Sequence, residues 1–222
     1  MAHHDHGAGD HEKVFDKGLG GGLAKEFLKA DHVYTVNFTE LNESGIEAGA
    51  FLAVRGDKLT VVTFADNVEA GQLHVQHIHG FLGVKDAMTP TDANDTDGDG
   101  FIELLEGLPS YGPIQVNLDP FPTPEGDRFF YAAQFDLDDF PGLTAENLDE
   151  HEIVIHGLSV GDAGAGTDGE VNGMAGYKTV LPIASGEIVE IEALRGVGDI
   201  ARAMAEHGCH CGGGGDMHLF GH

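Results

Sequence analysis

From His32 onward the chain is written in short segments of alternating apolar and polar residues, each closed by turn-forming residues, with no long helical period between them. The segments are Val33–Phe38, Ala50–Val54, Leu59–Phe64, Gln72–His79, Ile114–Leu118, Phe129–Phe135, Glu152–Leu158 and Thr179–Ile183. A period of two is what a strand with one face in a core requires. The pattern therefore predicts an all-β sandwich or barrel of about eight strands. Arg55-Gly56-Asp57-Lys58 reads as a hairpin turn, which accounts for its Arg-Gly-Asp tripeptide without an adhesive role.

A chain of 222 residues with 41% apolar content can bury the core of one substantial β domain with appendages. Residues 1–31 form a His- and Gly-rich extension whose helix formers over 13–29 allow a short helix weakened by Gly18 and Gly20-Gly21-Gly22, and no core element is expected there. Residues 32–192 hold the sandwich, and 193–222 hold a short helix over 199–207 followed by a Gly-rich tail. No run approaches the roughly 18 apolar residues that cross a bilayer, so membrane insertion is not expected. The opening Met1-Ala2-His3-His4-Asp5-His6 lacks the apolar core of a secretory signal. A net charge of -27 repels phosphates and excludes nucleic acid and anionic membranes as partners. That acidity suits a calcium-rich or saline exterior, and the expected setting is extracellular or periplasmic, with any leader outside this chain. The only cysteines, Cys209 and Cys211, are too close together to staple the body of the fold.

Leu73-His74-Val75-Gln76-His77-Ile78-His79-Gly80 places two imidazoles two residues apart in a predicted strand, so His77 and His79 project from one face and His74 from the other. Imidazole suits copper, zinc, nickel and iron, and copper binds most tightly among the divalent ions. Two ligands do not complete a site, and the same pair is compatible with ordinary half-buried polar residues.

The second motif runs from Asp95 to Glu106, Asp-Thr-Asp-Gly-Asp-Gly-Phe-Ile-Glu-Leu-Leu-Glu. It meets the spacing of an EF-hand-type calcium loop at each position, with Gly100 at the sharp bend and Ile102 at the apolar position. Asp95, Asp97 and Asp99 offer side-chain oxygens, Phe101 its carbonyl, Glu103 a ninth-position carboxylate and Glu106 a bidentate one. Hard oxygen donors select calcium. The competing reading is a solvated acidic loop. Met88-Thr89-Pro90-Thr91 breaks any helix before Asp95, so the motif reads as a single structural loop set between strands.

The His segment resembles the Leu-His-Gly-Phe-His-Val-His strand of Cu/Zn superoxide dismutase, Ile153-Val154-Ile155-His156 resembles the strand that delivers a further copper ligand there, and Asn172–Lys178 with Leu181–Ile188 is similar to that family's closing stretch. The resemblance extends from about His32 to Ile191 and implies a Greek-key β-sandwich with His77, His79 and His156 as copper ligands and His74 as a buried structural residue. It implies superoxide or another small oxidant as the reacting partner. The chain departs from the family where a bridging His would follow Gly112-Pro113, because Ile114 stands there. The remaining zinc ligands have no counterpart, Ser185 stands where a cysteine is expected, and Lys178 is the nearest substitute for the anion-steering arginine. These losses leave copper binding intact and place efficient dismutation in doubt.

A chordin-type (CHRD) domain is similar over a shorter span, and it implies a non-enzymatic calcium-binding extracellular module that binds a partner. The tails add weaker metal signals: His3 or His4 near a free amine, and Cys209-His210-Cys211 as soft ligands for zinc or copper(I).

Overall fold

The computed structural model describes residues 19–161, 175–191 and 202. The tail ligands His3, His4, Cys209, His210 and Cys211, the Asn172-Gly173-Met174 segment and all but one residue of the expected helix over 199–207 lie outside the described residues.

The fold is all-β and antiparallel. Nine strands are found among the described residues: β1 (His32–Asn37), β2 (Thr39–Glu40), β3 (Glu47–Arg55), β4 (Lys58–Asp66), β5 (Gln76–His79), β6 (Ile114–Asn117), β7 (Arg128–Asp136), β8 (Glu152–Val160) and β9 (Gly176–Ile191). They form a curled sheet in the order β6-β5-β8-β9-β1-β3-β4-β7, with β2 paired to β9. The predicted hairpin turn joins β3 to β4, with Gly56 at φ +59° and Arg55 opposite Lys58. The predicted Thr179–Ile183 strand is far longer than expected. β9 pairs with β8 from Gly176 to Glu187 and with β1 from Ile188 to Ile191, so it runs out of one layer into the other. At the crossing, a Cβ on Gly186 would lie 2.8 Å from the Asn37 carbonyl oxygen, which explains a glycine there.

The curled sheet closes on one main core. Ile78, Val116, Ile153 and Ile155 from the β6-β5-β8 end meet Leu52, Val61, Ala133 and Ile183 from the other strands, all of them buried. Within this layer Thr63 Oγ1 donates to Gln76 Oε1 at 2.7 Å, which lets two buried polar side chains share the apolar interior.

β3 and β4 are buried along nearly their whole length, because they carry apolar residues on both faces. The second face is covered by helix α1 (Leu19–Leu28), whose Leu23 and Phe27 pack on Val33, Phe51, Ala53, Val62 and Ala132. This corrects the expectation that the N-terminal extension stays out of the core. Gly20-Gly21-Gly22 weaken the helix by roughly 1 kcal/mol each relative to alanine, but tertiary packing of an apolar stripe outweighs intrinsic propensity.

Because Phe27 is 1% exposed, Phe27→Ala is expected to destabilise the protein by about 3–5 kcal/mol. Urea unfolding checks this; a loss under about 1 kcal/mol would mean that α1 does not hold the sheet in solution.

Candidate metal centre

Side-chain alternation sorts β5 and β8 into two faces. Gln76, Ile78, Ile153 and Ile155 point into the sandwich, while His77, His79, Glu152, Val154 and His156 share the outer face, with His77 opposite Val154 and His79 opposite Glu152 in the register. His156 sits at an irregularity, where pairing with β9 shifts on both sides of it and Gly157 takes φ +115°. The bulge re-aims the imidazole toward the β5 pair. Gly157 has no room for a side chain, since a Cβ would lie 2.0 Å from Tyr177 Oη.

The three imidazoles named from sequence converge. One ligand atom each of His77, His79 and His156 lies within 4.8 Å of the others, and the ring centroids are 5.6 Å (His77 to His79), 5.2 Å (His77 to His156) and 6.1 Å (His79 to His156) apart. Backbone carbonyls fix two of the rings. His79 Nδ1 lies 2.7 Å from the Gly112 oxygen and His156 Nδ1 lies 2.7 Å from the Val180 oxygen. A carbonyl only accepts, so both Nδ1 atoms carry the proton and both Nε2 atoms keep a lone pair. His77 Nδ1 is 3.3 Å from His156 Nε2, and the single N–H between them satisfies that pair. His79 Nε2 is buried with no hydrogen-bond partner among the described residues.

The trio is covered. Tyr111, from helix α2 (Leu104–Tyr111), stands edge-on to His79 at 4.7 Å, and Phe121 stands edge-on to His77 at 5.6 Å. His77, at 8% exposure, is the ring nearest to solvent. Burial pushes the pKa of His77 and of His79 down to about 4 and that of His156 well below the ordinary range, so all three are neutral at pH 7 with lone pairs available. His74 stands apart from the trio. It precedes β5, which begins at Gln76 and not at Gln72 as expected, so strand parity does not set its direction. Its ring nitrogens lie 3.2 Å from the His156 and Glu69 carbonyl oxygens, and it ties the loop before β5 to β8.

The calcium-loop motif is also partly assembled. Asp95, Asp97 and Glu106 bring carboxylate oxygens within 4.8 Å of one another, a group that includes neither Asp99 nor Glu103. Asp95 accepts from the Gly98 and Gly100 amides at 2.7 and 2.9 Å, Asp99 from the Phe101 amide at 2.9 Å, and Glu106 from the Thr96 amide and hydroxyl at 2.6 and 2.7 Å. Burial alone would raise the Glu106 carboxyl, yet these bonds from Thr96, with one from the Glu103 amide, hold it below the usual range. A 3-10 turn over Asp92–Asn94 stands where an EF-hand has its entering helix. Glu103 caps α2, a helix the sequence reading missed because Pro109 lies inside it.

Lys178 lies on β9 opposite Leu158 and is 7% exposed. Ile114, where the resemblance led a bridging His to be expected, is 45% exposed on the edge strand β6. Ser185 donates to Glu152 Oε2, while Thr89 Oγ1 donates to Glu152 Oε1 at 3.0 Å. Sequence reasoning missed Glu152, Tyr111, Phe121 and the two orienting carbonyls. The one available signal was glycine: a Cβ on Gly112, which has φ +83°, would lie 2.8 Å from the Gly80 carbonyl oxygen, and one on Gly80 would lie 2.1 Å from His151. Comparison with protein-family models and with curated proteins finds no match to this chain.

The buried imidazoles make stability depend on pH. The folded pKa of His77 and His79 is lowered to about 4, and burial lowers those of His156 and His151 too, so the contribution of all four is complete above the ordinary imidazole range and is lost as pH falls below it. Glu152 opposes them. Burial pushes its carboxyl up to about 7 despite bonds from Ser185 and Thr89, so its contribution is present at low pH and lost as pH rises through 7. Four bases outweigh one acid, so unfolding below neutral pH is expected to take up protons on balance. Calorimetry of the metal-free protein should show Tm falling from pH 7 to pH 5; a flat or rising Tm would contradict neutral buried imidazoles.

Proposed function

We propose that this protein is a copper-binding β-sandwich of the superoxide-dismutase-like kind, tied by calcium in the 95–106 loop. The observation that carries the reading is the His79 Nε2 lone pair, buried beside two further imidazoles and aimed at no protein donor. Leaving such an acceptor unsatisfied costs roughly 1–3 kcal/mol. A calcium-tied module without a metal at the trio gives that cost no purpose, which favours copper over the chordin-type reading.

The donor set fits the ion. Three neutral nitrogens, His77 Nδ1, His79 Nε2 and His156 Nε2, suit copper in either oxidation state, and no carboxylate belongs to the group. Bound there, copper would supply one-electron exchange with superoxide or another small oxidant. The protein's own part is orientation and exclusion. The Gly112 and Val180 carbonyls hold two tautomers, the N–H shared by His77 and His156 is the proton that a cation would replace, and Tyr111 and Phe121 keep bulk water from the rings. With an exposed Ile114 in place of a bridging imidazole, protons for dismutation would come from water or another group, so slow turnover is expected. In the loop, calcium would relieve the repulsion among Asp95, Asp97 and Glu106.

Copper EPR tests the trio. Nitrogen hyperfine structure should be present in the wild type and lost in His77→Ala and in His156→Ala; a spectrum unchanged by both would place the copper elsewhere. For the loop, saturating calcium should raise Tm in the wild type and much less in Glu106→Gln. Identical melting with and without calcium would remove the structural role.

A further inference from the structure

The two proposed ion sites share a helix. Glu106, whose carboxylate belongs to the loop cluster, is in the first turn of α2, and Tyr111, its last residue, packs edge-on to His79. The next residue, Gly112, supplies the carbonyl that orients the same imidazole. At about 1.5 Å of rise per residue, this places a loop carboxylate within roughly 9 Å along the chain of the atom that fixes a trio ligand. The helix is braced end to end, because Tyr111 Oη donates to the Leu104 carbonyl at 2.7 Å. Gly107 makes room for that ring, as a Cβ there would lie 2.3 Å from Tyr111 Cε1. A displacement of Glu106 is therefore passed on to Tyr111 and Gly112 and is not absorbed within the helix.

A second connection runs through Asn42. Its carboxamide meets both backbone groups of Ile102, accepting from the amide at 2.7 Å and donating to the carbonyl at 3.0 Å. The same amide nitrogen donates to the Pro182 carbonyl at 2.8 Å. Pro182 is the β9 partner of His156, and Val180, two residues earlier, holds the His156 ring. Ile102 belongs to the calcium loop, so this one side chain pins the middle of the loop to the strand beside the trio. Asn42 takes φ +59°, a conformation that asparagine tolerates better than most residues.

We propose that calcium in the 95–106 loop raises the affinity of the His77, His79 and His156 trio for copper, with α2 and Asn42 as the couplers. The inference rests on the reading above. An ordered loop holds α2, and hence the Gly112 carbonyl and the Tyr111 ring, in the position that keeps His79 Nε2 turned toward its neighbours; a loop spread by its own carboxylates does not. Linkage makes the effect reciprocal, so copper raises calcium affinity by the same factor.

The test measures copper(I) affinity of the full chain by competition with bicinchoninate, which leaves calcium free. Protein stripped of calcium by desalting is compared with protein in saturating calcium. Copper held by the trio is taken as the part lost in His156→Ala, which separates it from copper on the tails. The expected result is about a tenfold tighter trio affinity in calcium, within the usual range of coupling between sites. Glu106→Gln and Asn42→Ala should each shrink that ratio toward one. In parallel aliquots kept out of the copper titration, displacement of terbium luminescence by calcium reports loop occupancy, and circular dichroism confirms folding. Equal copper affinity with and without calcium, in protein whose loop is shown to be filled, overturns the coupling and leaves the copper reading standing. Copper binding that His156→Ala does not change overturns that reading and the coupling together. A loop that never fills removes the calcium part of both.

Discussion

The two faces of β5 and β8 set the terms for the rest of the structure. A strand alternates its side chains, so a segment that commits Ile78, Ile153 and Ile155 to the sandwich interior must send His77, His79 and His156 outward. The outer face here is not left to water, since loops bury all three rings. Once buried, a ring N–H needs an acceptor, and backbone carbonyls supply two of them: Gly112 at the end of α2 and Val180 in β9. The tautomers and the direction of the lone pairs follow from that requirement, while the neutral state of the trio follows from burial.

The cover is built where space is scarce. Gly112 lies against Gly80, Gly80 against the His151 ring, and Gly157 against Tyr177 and His74, each without room for a Cβ. Close approach at Gly112 lets the end of α2 lie against β5 and reach the His79 imidazole with a backbone carbonyl. Glycine pays in chain entropy for this, which the surrounding buried apolar residues offset. At the other end of the sheet, α1 buries the back of β1, β3, β4 and β7. The sandwich is thus covered on two outer faces, with the helix on one and the loops over the imidazole trio on the other.

Among the described residues, the acidic surface contributes little chemistry outside the loop. Asp57, Asp136 and Asp138 cluster, but Lys58 pairs with Asp136 and lies 3.3 Å from Asp57, so a cation of the chain already answers that charge. The 95–106 loop differs in that its carboxylates are answered mainly by amides of the same loop, an arrangement that preserves the turn while leaving Asp95, Asp97 and Glu106 converged.

By itself the sequence determined the elements whose signal is local. Alternation marked the strands, Gly56 marked the β3–β4 turn, and two residues of separation put His77 and His79 on one side, because these depend only on backbone period and torsion. It also named His156, through a resemblance and not through any local pattern. What spans distance was decided by the tertiary structure. α1 reads as a glycine-broken segment until a sheet face is there to receive Leu23 and Phe27, and α2 is hidden by Pro109 until Glu103 caps it. The length of β9, the covering rings of Tyr111 and Phe121, the orienting carbonyls and the reach of Asn42 between Ile102 and Pro182 leave no periodic trace. They are contacts between residues far apart in the chain, and only the packed fold brings those residues within hydrogen-bonding or ring-contact distance.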